Sequence, residues 1–90
     1  MYDVIYTDKA KESITALRKD EPAAIQKLIK LASELMEHPR TGTGKPEQLK
    51  GNLSGKWSRR ITKKHRLVYE IHDTEVIVLV LSAYGHYNDK

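Results

Sequence analysis

Ninety residues make one domain with a modest core, burying roughly 60–70% of the surface its unfolded form exposes. A chain with 39% hydrophobic and 31% charged residues is not wholesale disordered, and without cysteine it can build neither a disulfide framework nor a thiolate metal site. The net charge is only +4 but unevenly placed: Arg40 to Arg66 holds nine Lys and Arg against one acid, Glu47, while the rest carries seven bases and eleven acids. A basic middle on an acidic scaffold implies a surface that meets a polyanion; the plainer alternative is a solvated basic face without a ligand.

The opening "MYDVIYTDKA" has no basic region followed by an apolar one, so no signal peptide is expected. Within it, "YDVIY" (2–6) alternates weakly and predicts a short strand. Asp8 can cap a helix in which Ala10, Ile14 and Leu17 recur at helical spacing. "KDEP" then restarts the chain, with Asp20 as N-cap and Glu21 and Pro22 in a first turn, where proline's missing N–H does no harm. Ile25, Leu28, Ile29, Ala32, Leu35 and Met36 form one apolar stripe. This second helix should end near His38, because Pro39 disfavours helical geometry in the residue before it.

Residues 39–55, "PRTGTGKPEQLKGNLSG", hold four of the five glycines and two of the three prolines, which predicts a long loop of the kind that usually carries function. Leu49 and Leu53 could pin it to the core. "KWSRRI" and "HRLVYEIH", separated by "TKK", predict a hairpin, and "VIVLVLSAY" a central strand apolar on both faces. That run is far short of the roughly 20 residues that span a bilayer, so a soluble, cytoplasmic protein without membrane partners is expected. The order β-α-α-β-β-β predicts an α+β fold in which residues 1–90 form a single domain with two helices on one face of a small, mainly antiparallel sheet.

Strand parity gives the hairpin's faces. If Trp57 pairs with Tyr69, then Ile61, Leu67 and Ile71 share their side, which is the core face. Arg60 and Arg66 fall opposite one another on the other side, with Ser58 and Val68. Like charges in register are destabilising and persist where an anion neutralises them. A slip of one residue would separate them. Arginine at both positions favours planar, bidentate recognition of phosphate or carboxylate.

Glu47 is the lone carboxylate of the basic stretch, and His86 follows the last strand in "YGHY". Alone, the first reads as a salt-bridge partner for Lys45 or Lys50 and the second as a surface residue. Together they supply what metal-free RNA cleavage needs: a base for the ribose 2′-OH, an acid for the departing 5′-oxygen, and cations to stabilise the phosphorane. Glu47 as base, His86 as acid and Arg66 as stabiliser fill these roles. His38, His65 and His72 fit worse, no ligand spacing supports a metal, and no cofactor is expected. Cations crowding a carboxylate favour its charged form and make it a reluctant proton acceptor, which implies slow action on free RNA unless a larger partner assists.

The segment "GTGKPEQLKGNLSGKWSRRITKKHRLVYEI", with the closing "HY", closely resembles the YoeB (Txe) toxins of bacterial toxin–antitoxin modules, in the RelE/ParE superfamily. The resemblance covers essentially the whole chain and implies a RelE-like microbial RNase architecture. By its motifs, Glu47 of "KPE" is the general base, Arg66 of "HRLVY" the transition-state stabiliser and His86 of "HY" the general acid. Tyr87 helps to order the site, and Lys50 of "LK" and Arg60 of "SRR" contact RNA phosphate or support it. It further implies a ribosome-dependent endoribonuclease that cuts translated mRNA in the A site of the 70S ribosome. Cleavage would leave a 2′,3′-cyclic phosphate, or its 3′-phosphate, and a 5′-OH. A YefM/Phd-type antitoxin would neutralise it, and operator DNA would be met only through that complex; a homodimer is possible. Two departures stand out: "NDK" follows the tyrosine, and "AYG" before the histidine puts Gly85 where it could loosen His86. The competing readings are a ParE-like inhibitor of a protein target and a plain nucleic-acid-binding module.

Overall fold

The computed structural model describes residues 1–85, so His86 and Tyr87 lie outside the described residues. Strand β1 (Asp3–Tyr6) leads into helices α1 (Asp8–Asp20) and α2 (Ala24–Leu35). After the loop come β2 (Glu47–Gln48), a 3₁₀ turn (Gly51–Leu53), and β3 (Lys56–Arg60), β4 (Arg66–His72) and β5 (Ile77–Ser82). The strands form one sheet in the order β1-β5-β4-β3-β2, with β1 parallel to β5 and the other pairs antiparallel. The α+β architecture expected from the sequence is the one observed. The addition is β2: two residues are too few to show a period, and only the partner β3 reveals them as a strand.

The helices pack on one sheet face, where Leu17, Leu28, Leu31 and Leu35 bury against Ile61, Leu67, Tyr69, Val78 and Val80. Their boundaries differ from expectation for local reasons. The cap of α1 is Thr7 rather than Asp8: the Thr7 hydroxyl accepts the Ala10 N–H at 3.0 Å, leaving Asp8 in the first turn, where the helix dipole favours an acid. Asp20 does not start α2 but ends α1. The Glu21 N–H still reaches the Leu17 carbonyl at 2.8 Å, and the helix stops only because Glu21 precedes proline and turns to φ −142°. The buried stripe of α2 is Ala24, Leu28, Leu31 and Leu35, so Ile29 (59% exposed) and Met36 (37%) flank the core instead of filling it.

The 39–55 segment is less of a free loop than its glycines suggested. The Arg60 N–H donates to the Gly44 carbonyl and the Leu49 N–H to the Lys56 carbonyl, which lays the segment along the edge of β3. Gly44 must be glycine there: its φ is +86° and a Cβ would stand 2.9 Å from the Arg60 carbonyl oxygen. Leu49 is buried as expected, and Leu53 is half-buried.

Candidate active site

The hairpin has the register supposed from its two faces. Trp57 faces Tyr69 and Arg60 faces Arg66, so Ser58, Arg60, Arg66 and Val68 lie on the sheet face away from the helices. Strand β2 adds Glu47 to that face, because it pairs with Ser58, which in turn pairs with Val68. Glu47 and Arg66 thus meet although 19 positions separate them, with Arg66 Nη1 3.7 Å from Glu47 Oε1. The Arg66 side chain is 16% exposed and that of Glu47 54%. At 3.7 Å the contact is an ion pair rather than a hydrogen bond, and a half-exposed pair contributes about 0–1 kcal/mol to folding. Stability therefore does not explain it. An open carboxylate beside a guanidinium held by its surroundings is suited to taking a proton from a group whose neighbouring charge the cation stabilises. Arg60 is exposed opposite Arg66, and Lys50 is exposed where the chain enters the 3₁₀ turn.

Further along the same face a cavity of about 470 Å³ lies between the sheet and the 3₁₀ turn, lined by Lys9, Asn52, Leu53, Lys56, Val68, Leu81 and Ser82. Ser58 is fully buried between Glu47 and Val68, and its hydroxyl has no hydrogen-bond partner among the described residues.

His65, which sequence reasoning set aside, is 3% exposed and tightly bound. Its Nδ1 accepts the Gly85 N–H at 2.8 Å, its Nε2 faces Asp20 Oδ2 at 3.0 Å, and its ring stacks on Tyr84 at 4.5 Å. Asp20, Glu21 and His65 gather their ligand atoms closely enough for a cation. The chemistry does not fit one: with Nδ1 accepting a backbone N–H, Nε2 must keep its hydrogen and has no lone pair for a metal. Gly85 is itself held at both sides, since its carbonyl also accepts the Arg66 N–H at 3.0 Å; whether it loosens His86 lies outside the described residues.

The YoeB-like toxins of bacterial type II toxin–antitoxin systems match this sequence over residues 6–87. The chain belongs to that family. It is 36% identical over 75 residues to the toxin YoeB of Escherichia coli K12, covering 83% of this chain and 89% of that one. To the toxin YoeB of Mycobacterium bovis it is 48% identical over 62 residues, covering 69% and 71%. Among solved structures, a YoeB/ParE toxin from Agrobacterium tumefaciens superposes with a TM-score of 0.85 at 30% identity, over 94% of this chain and 99% of that one. The YoeB–YefM complex from Staphylococcus aureus gives 0.79 at 31% identity, over 97% and 99%.

In this YoeB-like toxin part of the basic stretch is folded away. Arg59 shares its parity with Trp57 and Ile61 and is completely buried on the core face. Its five N–H groups all find acceptors. Nε donates to the Tyr69 hydroxyl (3.1 Å), Nη1 to Glu34 Oε1 (2.9 Å) and the Thr43 carbonyl (3.3 Å), and Nη2 to the carbonyls of Thr41 (2.8 Å) and His38. Tyr69 donates onward to the Pro39 carbonyl at 2.7 Å, and burial raises its phenol above the ordinary value. Three other cations of the stretch meet acids from outside it: Arg40 with Asp73, Lys56 with Glu70 and Lys64 with Asp20. The sequence signal for Arg59 was its parity, which a count of charges overlooks.

The Glu34 carboxyl lies below its ordinary 4.5, chiefly because the Thr43 hydroxyl donates to it, and Arg40 holds Asp73 below its ordinary 3.8. A carboxyl lowered on folding adds stability that is complete above its unfolded value and lost as pH falls through the folded one. The melting temperature should therefore hold its Glu34 contribution at neutral pH and begin to fall below about pH 4.5. Calorimetry from pH 7 to 3 tests this: Glu34→Gln should start lower and fall less steeply, and parallel curves would refute the assignment.

Proposed function

We propose that this YoeB-like toxin is a ribosome-dependent endoribonuclease that cuts translated mRNA in the ribosomal A site by metal-free general acid–base attack of the ribose 2′-OH. The observation that carries this reading is the convergence of Glu47 and Arg66 on the open sheet face, beside exposed Arg60. Glu47 takes the 2′-hydroxyl proton, Arg66 stabilises the phosphorane, and His86 protonates the 5′-oxygen as it leaves. Lys50 and Arg60 hold flanking phosphates, and Tyr87 orders the site. No cofactor is required.

An acidic, partly disordered antitoxin segment of YefM type, folding as it binds, would cover the remaining cations. The Staphylococcus aureus relatives, solved as a YoeB–YefM complex and as a YoeB dimer, support a partner of that kind and a homodimer. Operator DNA is then met through the antitoxin, and the place of action is the cytoplasm.

Primer extension on a defined mRNA, with and without programmed ribosomes, tests the activity. A cut within the A-site codon should occur only with ribosomes and should vanish in His86→Gln, while ribosome binding survives. Intact mRNA from protein that binds ribosomes would refute the nuclease reading.

A further inference from the structure

We propose that His65 is a positioning residue for the reaction, fixing Gly85 so that the chain reaches the general acid His86 from a rigid point beside Arg66. The inference rests on the nuclease reading above. Chain ends are poorly ordered unless something ties them down, and here the tie falls one residue before the acid. His65 Nδ1 takes the Gly85 N–H, and the Arg66 N–H takes the Gly85 carbonyl, which belongs to the peptide bond joining Gly85 to His86. Two consecutive residues therefore grip one glycine by both its polar groups, and the second of them sends its side chain toward Glu47.

The grip needs an imidazole in one tautomer. Nδ1 must be bare to accept, so Nε2 carries the hydrogen and donates it to Asp20 Oδ2 at 3.0 Å, with Glu21 Oε1 at 3.4 Å. The last residues of α1 and the turn after it thus set the ring's orientation, and stacking on Tyr84 sets its plane. An apolar side chain would fill the same volume but could not hold the amide. Gly85 sits at φ +79° with open space where a Cβ would be, so glycine is used there for its backbone conformation rather than for closeness.

Two variants separate positioning from packing. Asparagine places its carbonyl oxygen where Nδ1 was, keeping the Gly85 bond and losing the Asp20 bond. Glutamine reaches Asp20 but leaves nothing at the Nδ1 position. In ribosome-programmed cleavage, His65→Gln should lower kcat about 100-fold with KM within about twofold, while His65→Asn stays within about tenfold of the parent. Amide exchange at Gly85 should quicken at least about tenfold in His65→Gln and little in His65→Asn. Activity that simply follows melting temperature in the two variants would overturn the positioning role. Unchanged Gly85 exchange in His65→Gln would overturn the grip itself and leave the nuclease reading standing. A parent protein that does not cleave, yet shows Gly85 protection lost in His65→Gln, would refute the nuclease reading, and the positioning role with it.

Discussion

Arg59→Leu should destabilise the protein by about 4 kcal/mol, because it strands three loop carbonyls and takes from Glu34 its counter-charge, all served by one buried guanidinium. For a chain of this size that corresponds to a fall in Tm of roughly 15–30 °C. Arg59→Lys should recover little of it, since an ammonium is a point donor and the acceptors surround a plane. Glu34→Gln should fall between, keeping a hydrogen-bonding group for Thr43 but leaving the buried cation without its counter-charge. Scanning calorimetry at pH 7 decides the matter, and an Arg59→Leu protein that melts within a few degrees of the parent would show the network to be incidental. The same network fixes residues 38–43, which lead into Glu47, so activity lost on weakening it would reflect misplacement of the proposed base as well as lower stability.

Glu47→Gln and Arg66→Ala should each reduce single-turnover cleavage by about 10³, with ribosome binding retained. The double variant should be little worse than either, because groups serving one transition state are not additive. Melting temperatures should hardly move for Glu47→Gln, since the ion pair is half-open to water. Losses that multiply in the double variant, or a single variant retaining a tenth of the parent's rate, would mean that the two side chains do not share the reaction.

Much of this architecture was legible in the sequence. The hairpin's faces followed from parity, which puts Trp57, Ile61, Leu67 and Tyr69 on one side; the register that sets Arg60 opposite Arg66 was a supposition that depended on the turn, and the structure has it. The same parity assigned Arg59 to the core, yet a count of charges treats neighbouring arginines alike. Buried partners from α2 and the loop, which no local pattern announces, separate their roles. The meeting of Glu47 with Arg66 was expected from roles and motif; its physical cause, a strand of two residues, lies below any periodicity. His65 was passed over because its partners, Asp20 and Gly85, are 45 and 20 positions away and meet it only in the folded chain.

The acceptors around Arg59 also impose an order on biosynthesis. They come from α2, from the loop after it and, through Tyr69, from the hairpin's second strand. A nascent chain that has emerged only as far as Glu47 can join Thr43 to Glu34 but lacks the Arg59 and β3 contacts that place Glu47. The segment can settle only once residues 59 and 69 have both been made, which takes about three-quarters of the polypeptide. Products truncated before Tyr69 should therefore lack a settled Glu47 segment, which limited proteolysis of a chain ending at residue 68 against the full chain would show.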